Sequence, residues 1–149
     1  MRYLLVDRIL EYQNGEHIRG IKNVAMSEDF LEFHFPGNPV MPGVLLIEAM
    51  TQLAGWLEAA STDFQSWFLL HQVHKCMFYG FAFPGDRVEL DVRLQSSQDS
   101  TRRQFLGIGT VNQKKKIVAE FEGERTPLTS LENVEEQKKF FQLLLRKDS

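Results

Sequence analysis

The chain has 149 residues, 43% hydrophobic and 25% charged, the balance of an ordinary globular domain with one core. A length of this order buries roughly two-thirds of the unfolded surface, so stability needs neither a disulfide nor a metal. A net charge of -3 excludes a general nucleic-acid binder, and Cys76, the single cysteine, excludes an internal disulfide and fits a reducing compartment. The opening Met1-Arg2-Tyr3-Leu4-Leu5-Val6-Asp7 has too short an apolar run for a signal peptide, so a cytoplasmic protein is expected. After the turn signal Asn14-Gly15, residues 16–26 alternate imperfectly around Ile18, Val24 and Met26 and read as a first strand.

The stretch Phe35-Pro36-Gly37-Asn38-Pro39-Val40-Met41-Pro42-Gly43 is too rich in proline and glycine to be regular and forms a shaped loop. It leads into a helix over 43–60, opened by Pro42 and apolar nearly all round, hence buried on most sides. Its apolar part, 44–57, is broken by Glu48 and Gln52 and is too short to span a bilayer, so no membrane insertion is expected. Strands follow over 67–78, 85–94, 101–111 and 117–125, and their short connections make the sheet antiparallel. A last amphipathic helix is read from the capping pattern Thr129-Ser130-Leu131-Glu132 and from Leu131, Val134, Phe141, Leu144 and Leu145. One apolar helix and about five strands give an α+β fold, a sheet wrapped around a helix, with an added C-terminal helix.

Chemistry concentrates between His34 and Gln52. A histidine takes a weakly acidic proton at neutral pH, the first need of an elimination beside a carbonyl. Glu48, among Val44, Leu45, Ile47, Ala49 and Met50, is expected to be desolvated and to keep a proton for a departing hydroxyl. The Gly43 amide, free at the helix start, suits an enolate-like oxygen, and only a small residue permits that approach. Gln52 lies at i+4 from Glu48 and is placed to orient its carboxyl group, with Thr51 as the alternative partner.

The run His34-Phe35-Pro36-Gly37-Asn38-Pro39-Val40-Met41-Pro42-Gly43 through Glu48 resembles the signature of FabZ-type 3-hydroxyacyl-[acyl-carrier-protein] dehydratases, in the FabA/FabZ family. Leu4-Leu5-Val6-Asp7-Arg8-Ile9-Leu10, Ile21-Lys22-Asn23-Val24 and Phe83-Pro84-Gly85-Asp86 are similar to further family patterns, which extends the resemblance over residues 3–125. It implies a hot-dog fold over residues 1–126, with a C-terminal helical extension over 127–149. It also implies a homodimer or trimer of dimers, an acyl carrier protein as partner, and no cofactor. By the same resemblance His34 of one subunit meets Glu48 of the other, the carbonyl at Val40 receives the second ring nitrogen of His34, and the Gly43 amide polarises the thioester carbonyl. Glu rather than Asp at position 48 points to a plain dehydratase rather than a dehydratase/isomerase. The chain departs from the pattern at Phe33, where the family has glycine, and at the almost wholly apolar Phe78-Tyr79-Gly80-Phe81-Ala82-Phe83, where it has basic residues. Both bear on tunnel shape and carrier docking.

Other features read more plainly. Strand alternation sends His71 to the face opposite His74 and Cys76, which argues against a metal site. The aromatics from Phe64 to Phe83 read as core and tunnel wall, and Arg102, Arg103 and Lys114-Lys115-Lys116 as solvated charge. The rival functions are a hot-dog acyl thioesterase, which has no need of His34, and a non-catalytic acyl-binding or scaffolding subunit, motivated by Phe33 and the added helix.

Overall fold

The computed structural model describes residues 4–97 and 101–146, so Met1, Arg2, Tyr3 and the last three residues of the expected extension lie outside the described residues. The chain begins with a hairpin of β1 (Arg8–Gln13) and β2 (His17–Asn23), turned at Asn14-Gly15 with Gly15 at φ 74°. The strand read as first is therefore second. β1 carries too little alternation to announce itself, since Ile9 is its one buried residue.

Then come a short 3-10 turn (Asp29–Leu31), the proline-rich loop and helix α1 (Gly43–Ser61). β3 (Ser66–Phe78), β4 (Arg87–Ser96), β5 (Arg102–Val111) and β6 (Lys114–Pro127) complete a six-stranded antiparallel sheet in the order β1-β2-β4-β5-β6-β3. The β5–β6 hairpin turns on Asn112 and Gln113, both at positive φ as a two-residue turn requires.

α1 lies against the inner face of this sheet. Met50, Leu53, Ala54 and Leu57 are fully buried, and Phe68, Phe105 and Phe121 form an aromatic cluster with centroids 5.0 to 5.9 Å apart. Close approach of helix to sheet depends on small residues: a side chain at Gly107 would collide with Met50, and one at Gly20 with Leu53. Among the described residues no helix is long and apolar enough to cross a membrane.

The last helix, α2 (Val134–Leu144), is present, but its cap is not the one read from sequence. Thr129 and Ser130 belong to a separate 3-10 turn over Leu128–Ser130, and the Asn133 side chain accepts the Glu136 amide at 3.0 Å. Asn133 thus satisfies one of the open amides of the first turn, with Glu135 and Glu136 suited to the positive end of the helix dipole. α2 packs on the parent domain through Phe141, whose ring meets Trp56, Tyr12 and Phe64.

The central helix carries one wholly buried charge. Glu58 accepts from Arg103 Nε at 3.0 Å and from Arg125 Nε on the neighbouring strand. Arg103 is therefore an internal partner and not one of a solvated cluster. Breaking such a pair strands a charge in the interior, so Glu58→Ala should cost about 3–5 kcal/mol of unfolding free energy, measured by urea denaturation.

Candidate active site

The loop before α1 is held by its own backbone. Phe35 and Asn38 exchange amide-to-carbonyl hydrogen bonds of 3.0 and 2.9 Å around Pro36-Gly37, and Gly37 takes the positive φ of 76° that this turn needs. The Val40 amide donates to the His34 carbonyl at 2.8 Å, and the Met41 amide donates to Ala82 on the β3–β4 connection at 2.9 Å. These bonds fix the His34 side chain relative to the helix that follows.

His34 is half-buried and stacks on Phe35 with ring centroids 4.1 Å apart. Its Nδ1 lies 2.9 Å from the Val40 carbonyl oxygen. A carbonyl only accepts, so Nδ1 carries the hydrogen and the neutral ring keeps its lone pair on Nε2, the arrangement of a general base. Phe33, by contrast, is largely exposed.

His34, Phe35 and Met41 join Gly43, Phe78 and Phe81 in lining an almost wholly apolar cavity of about 440 Å³. Gly43 opens α1, so its amide belongs to the first turn, which lacks intrahelical acceptors and sits at the positive end of the dipole. The Phe78 ring lies so close to Gly43 that a Cβ there would overlap it. Glycine is therefore needed to keep both the aromatic wall and access to the amide.

Glu48 is not among the described residues that line this cavity, and within the single chain it is exposed rather than desolvated. The sequence expectation fails there because neighbours at i±1 in a helix point away from the side chain, so apolar company in sequence is not burial. Its carboxyl group is nonetheless positioned. Thr51 Oγ1 lies 3.0 Å from Glu48 Oε2 and 2.8 Å from the Glu48 carbonyl, and Gln52 Nε2 donates to Glu48 Oε1 at 3.2 Å.

The Gln52 orientation follows from its other contact, because Oε1 accepts the Leu5 amide at 3.0 Å and Nε2 must then face Glu48. With Oε1 of Glu48 receiving that donor, Oε2 is the oxygen turned toward the Thr51 hydroxyl. Gln52 and Thr51 thus both serve, and the Leu5 amide is a part of the site that sequence reasoning missed. Its signal was the Leu4-Leu5-Val6 run, weighed only against a signal peptide and as part of a resemblance.

The histidines and cysteine of β3 do not converge. His74 Nε2 lies 2.7 Å from Glu122 Oε1, and Arg102 donates to Glu122 Oε2 at 3.1 Å. The Arg102 hydrogen bond, helped by His74, holds the half-buried Glu122 carboxyl below the usual range against an opposing desolvation. Burial pushes the Cys76 thiol up, away from a reactive thiolate. Among the described residues no three His, Cys, Asp or Glu side chains are grouped to hold a metal ion.

An antiparallel sheet curled around an apolar helix, with a loop histidine and a helix N-terminus on one cavity, defines a hot-dog-fold protein with an acid/base candidate site. The FabA-like domain family matches residues 1–122, and the chain belongs to that family. A 3-hydroxyacyl-[acyl-carrier-protein] dehydratase FabZ of Nitratidesulfovibrio vulgaris is 50% identical over 95 residues, 62% of this chain and 62% of that relative. The FabZ of Blochmanniella pennsylvanica is 38% identical over 115 residues, 75% of this chain and 76% of its own. The match to the first of these thus spans less than two thirds of the relative's length.

Solved structures share the fold at low identity. The dehydratase heterocomplex ApeI:P of Xenorhabdus doucetiae aligns at TM-score 0.63 and 16% identity, over 77% of this chain and 93% of that one. A Streptococcus mutans protein bound to acetyl CoA aligns at TM-score 0.65 and 17% identity, over 85% of this chain and 94% of that one.

The tautomer assignment is open to direct measurement. In nitrogen-15 NMR of the neutral protein, His34 should show a protonated Nδ1 and an unprotonated Nε2, the reverse of the form usual for a solvated histidine.

Proposed function

We propose that this protein removes water from 3-hydroxyacyl thioesters, carried on an acyl carrier protein in the cytoplasm, to give trans-2-enoyl thioesters for fatty acid or related lipid or polyketide synthesis. The observation that carries the reading is the His34–Val40 hydrogen bond, which leaves Nε2 as the basic nitrogen of a ring that lines an apolar cavity together with the start of α1. His34 Nε2 takes the C2 proton and the carbonyl oxygen gathers charge at the Gly43 amide. The C3–oxygen bond then breaks as Glu48 Oε2 supplies the proton that turns the hydroxyl into water. The C2–C3 double bond forms and no outside reductant or oxidant is needed.

His34 and Glu48 work together when two chains associate. β3 is an edge strand of 13 residues whose outer part exposes Leu69, Leu70, Val73, Met77 and Phe78. Such an edge invites pairing with a second copy. Glu48, exposed in the single chain, would then be desolvated by the partner, which supplies the environment for a protonated acid that one chain does not. This supports a homodimer as the working unit, either alone or within a trimer of dimers.

The test is hydration of crotonyl and longer enoyl carrier thioesters, followed by loss of their conjugated absorbance. His34→Ala should lower kcat/KM by roughly 10²–10⁴-fold. Release of free thiol in place of hydration would instead support the thioesterase reading. Oligomers mixed from His34→Ala and Glu48→Ala chains should recover part of the activity, since one of their two sites is intact when the pair is shared across the interface.

A further inference from the structure

A second cavity, of about 350 Å³, lies between α1, β3 and the C-terminal segment. Trp56 and Trp67 line it together with Leu4, Leu69, Leu131 and Phe140, and Gln52 stands in the same lining. Gln52 is also the residue that holds Glu48 Oε1. Glu48, Gln52 and Trp56 follow one another at i, i+4 and i+8, a row along one face of α1 that covers roughly 12 Å of helix. The cavity therefore begins where the carboxyl group of the proposed site ends.

The order of atoms in the substrate decides what this cavity receives. The thioester oxygen belongs at Gly43 and C2 at His34 of one subunit, and the C3 hydroxyl at Glu48 of the partner subunit, so everything from C4 onward leaves the reaction centre toward the cavity beside that second glutamate. That remainder is an alkyl chain, and the walls beside Gln52 are tryptophan, leucine and phenylalanine. The volume lies within the ordinary range of small-molecule pockets. Leu131, Glu132, Gln137 and Phe140 all come from the segment beyond the family domain's matched residues 1–122. With Gln52, Glu132 and Gln137 are the polar members of the lining, and an alkyl end that desolvates them gains nothing.

We infer that the cavity between α1, β3 and α2 takes the distal part of the acyl chain, and that Leu131 and Phe140 of the C-terminal segment set the chain length this protein accepts. The inference rests on the dehydratase reading for the direction of the chain, but its test does not require turnover.

Both tryptophans of the chain line the cavity, so their emission reports its filling. In the turnover-free His34→Ala protein, dodecanoyl-pantetheine should give a saturable blue shift and butyryl-pantetheine none. In the parent enzyme, Leu131→Trp should lower the dodecenoyl-to-crotonyl ratio of kcat/KM by about tenfold, the equivalent of roughly two unburied methylene groups. Phe140→Ala should shift the preference toward longer chains. Equal emission responses to the two chain lengths, or an unchanged ratio in folded Leu131→Trp and Phe140→Ala proteins, overturns the inference while leaving the dehydratase reading intact. Absence of hydration alongside the dodecanoyl-specific shift overturns the dehydratase reading and leaves the cavity an acyl-binding site.

Discussion

A helix enclosed on nearly every side must find a partner for each polar group it carries, and α1 shows how much of the molecule follows from that demand. Glu58, in its last third, is answered by Arg103 and Arg125 on two adjacent strands, which ties the helix to the sheet at one point. Thr51 turns its hydroxyl back on the helix carbonyl of Glu48, a local solution that needs nothing from the sheet. Gln52 reaches the Leu5 amide and so fixes the segment that leads into β1. Glu48 is left as the polar side chain of this helix that stays exposed in the single chain, its carboxyl group held by Thr51 and Gln52.

The other end of the constraint is the entry to the helix. A proline-rich loop with reciprocal turn bonds delivers His34 to a fixed position and places Gly43 at the first turn of the helix. With the loop held this way, the proposed reaction has its groups oriented before any substrate arrives. Phe78 and Phe81 wall the same space, and the apolar run 78–83 that replaces basic residues of the family therefore serves the cavity directly. Phe33 lies outside that lining and is largely solvent-facing in the single chain.

The legible parts of the fold were those in which one chemical signal repeats locally. α1 announces itself by apolar residues all round, and β4, β5 and β6 by alternation that the burial pattern reproduces. β1 did not, because an edge strand with one buried residue has no pattern to read. The loop histidine, the helix start and the Glu48–Gln52 pair were legible because their spacing is local. The Glu58 cluster joins residues 45 and 67 apart in sequence, and no periodicity brings them together. Glu48 was misjudged for the converse reason: sequence neighbours on a helix were counted as spatial ones.

The C-terminal helix extends the same logic beyond the family domain. A sheet of six strands covers one side of α1, and Trp56, on the side toward β3, needs cover that the sheet does not complete. Phe140 and Phe141 provide it, with ring centroids 5.8 and 5.6 Å from Trp56. Once α2 is anchored there by the Asn133 cap and by Phe141, the space between it and β3 gains a wall on the side of the C-terminal segment. An apolar compartment is therefore a by-product of covering the helix, and it adjoins the site because Glu48, Gln52 and Trp56 share one helical face. A segment added for packing in this way gains influence over what the neighbouring site can hold, without contributing any group to the chemistry.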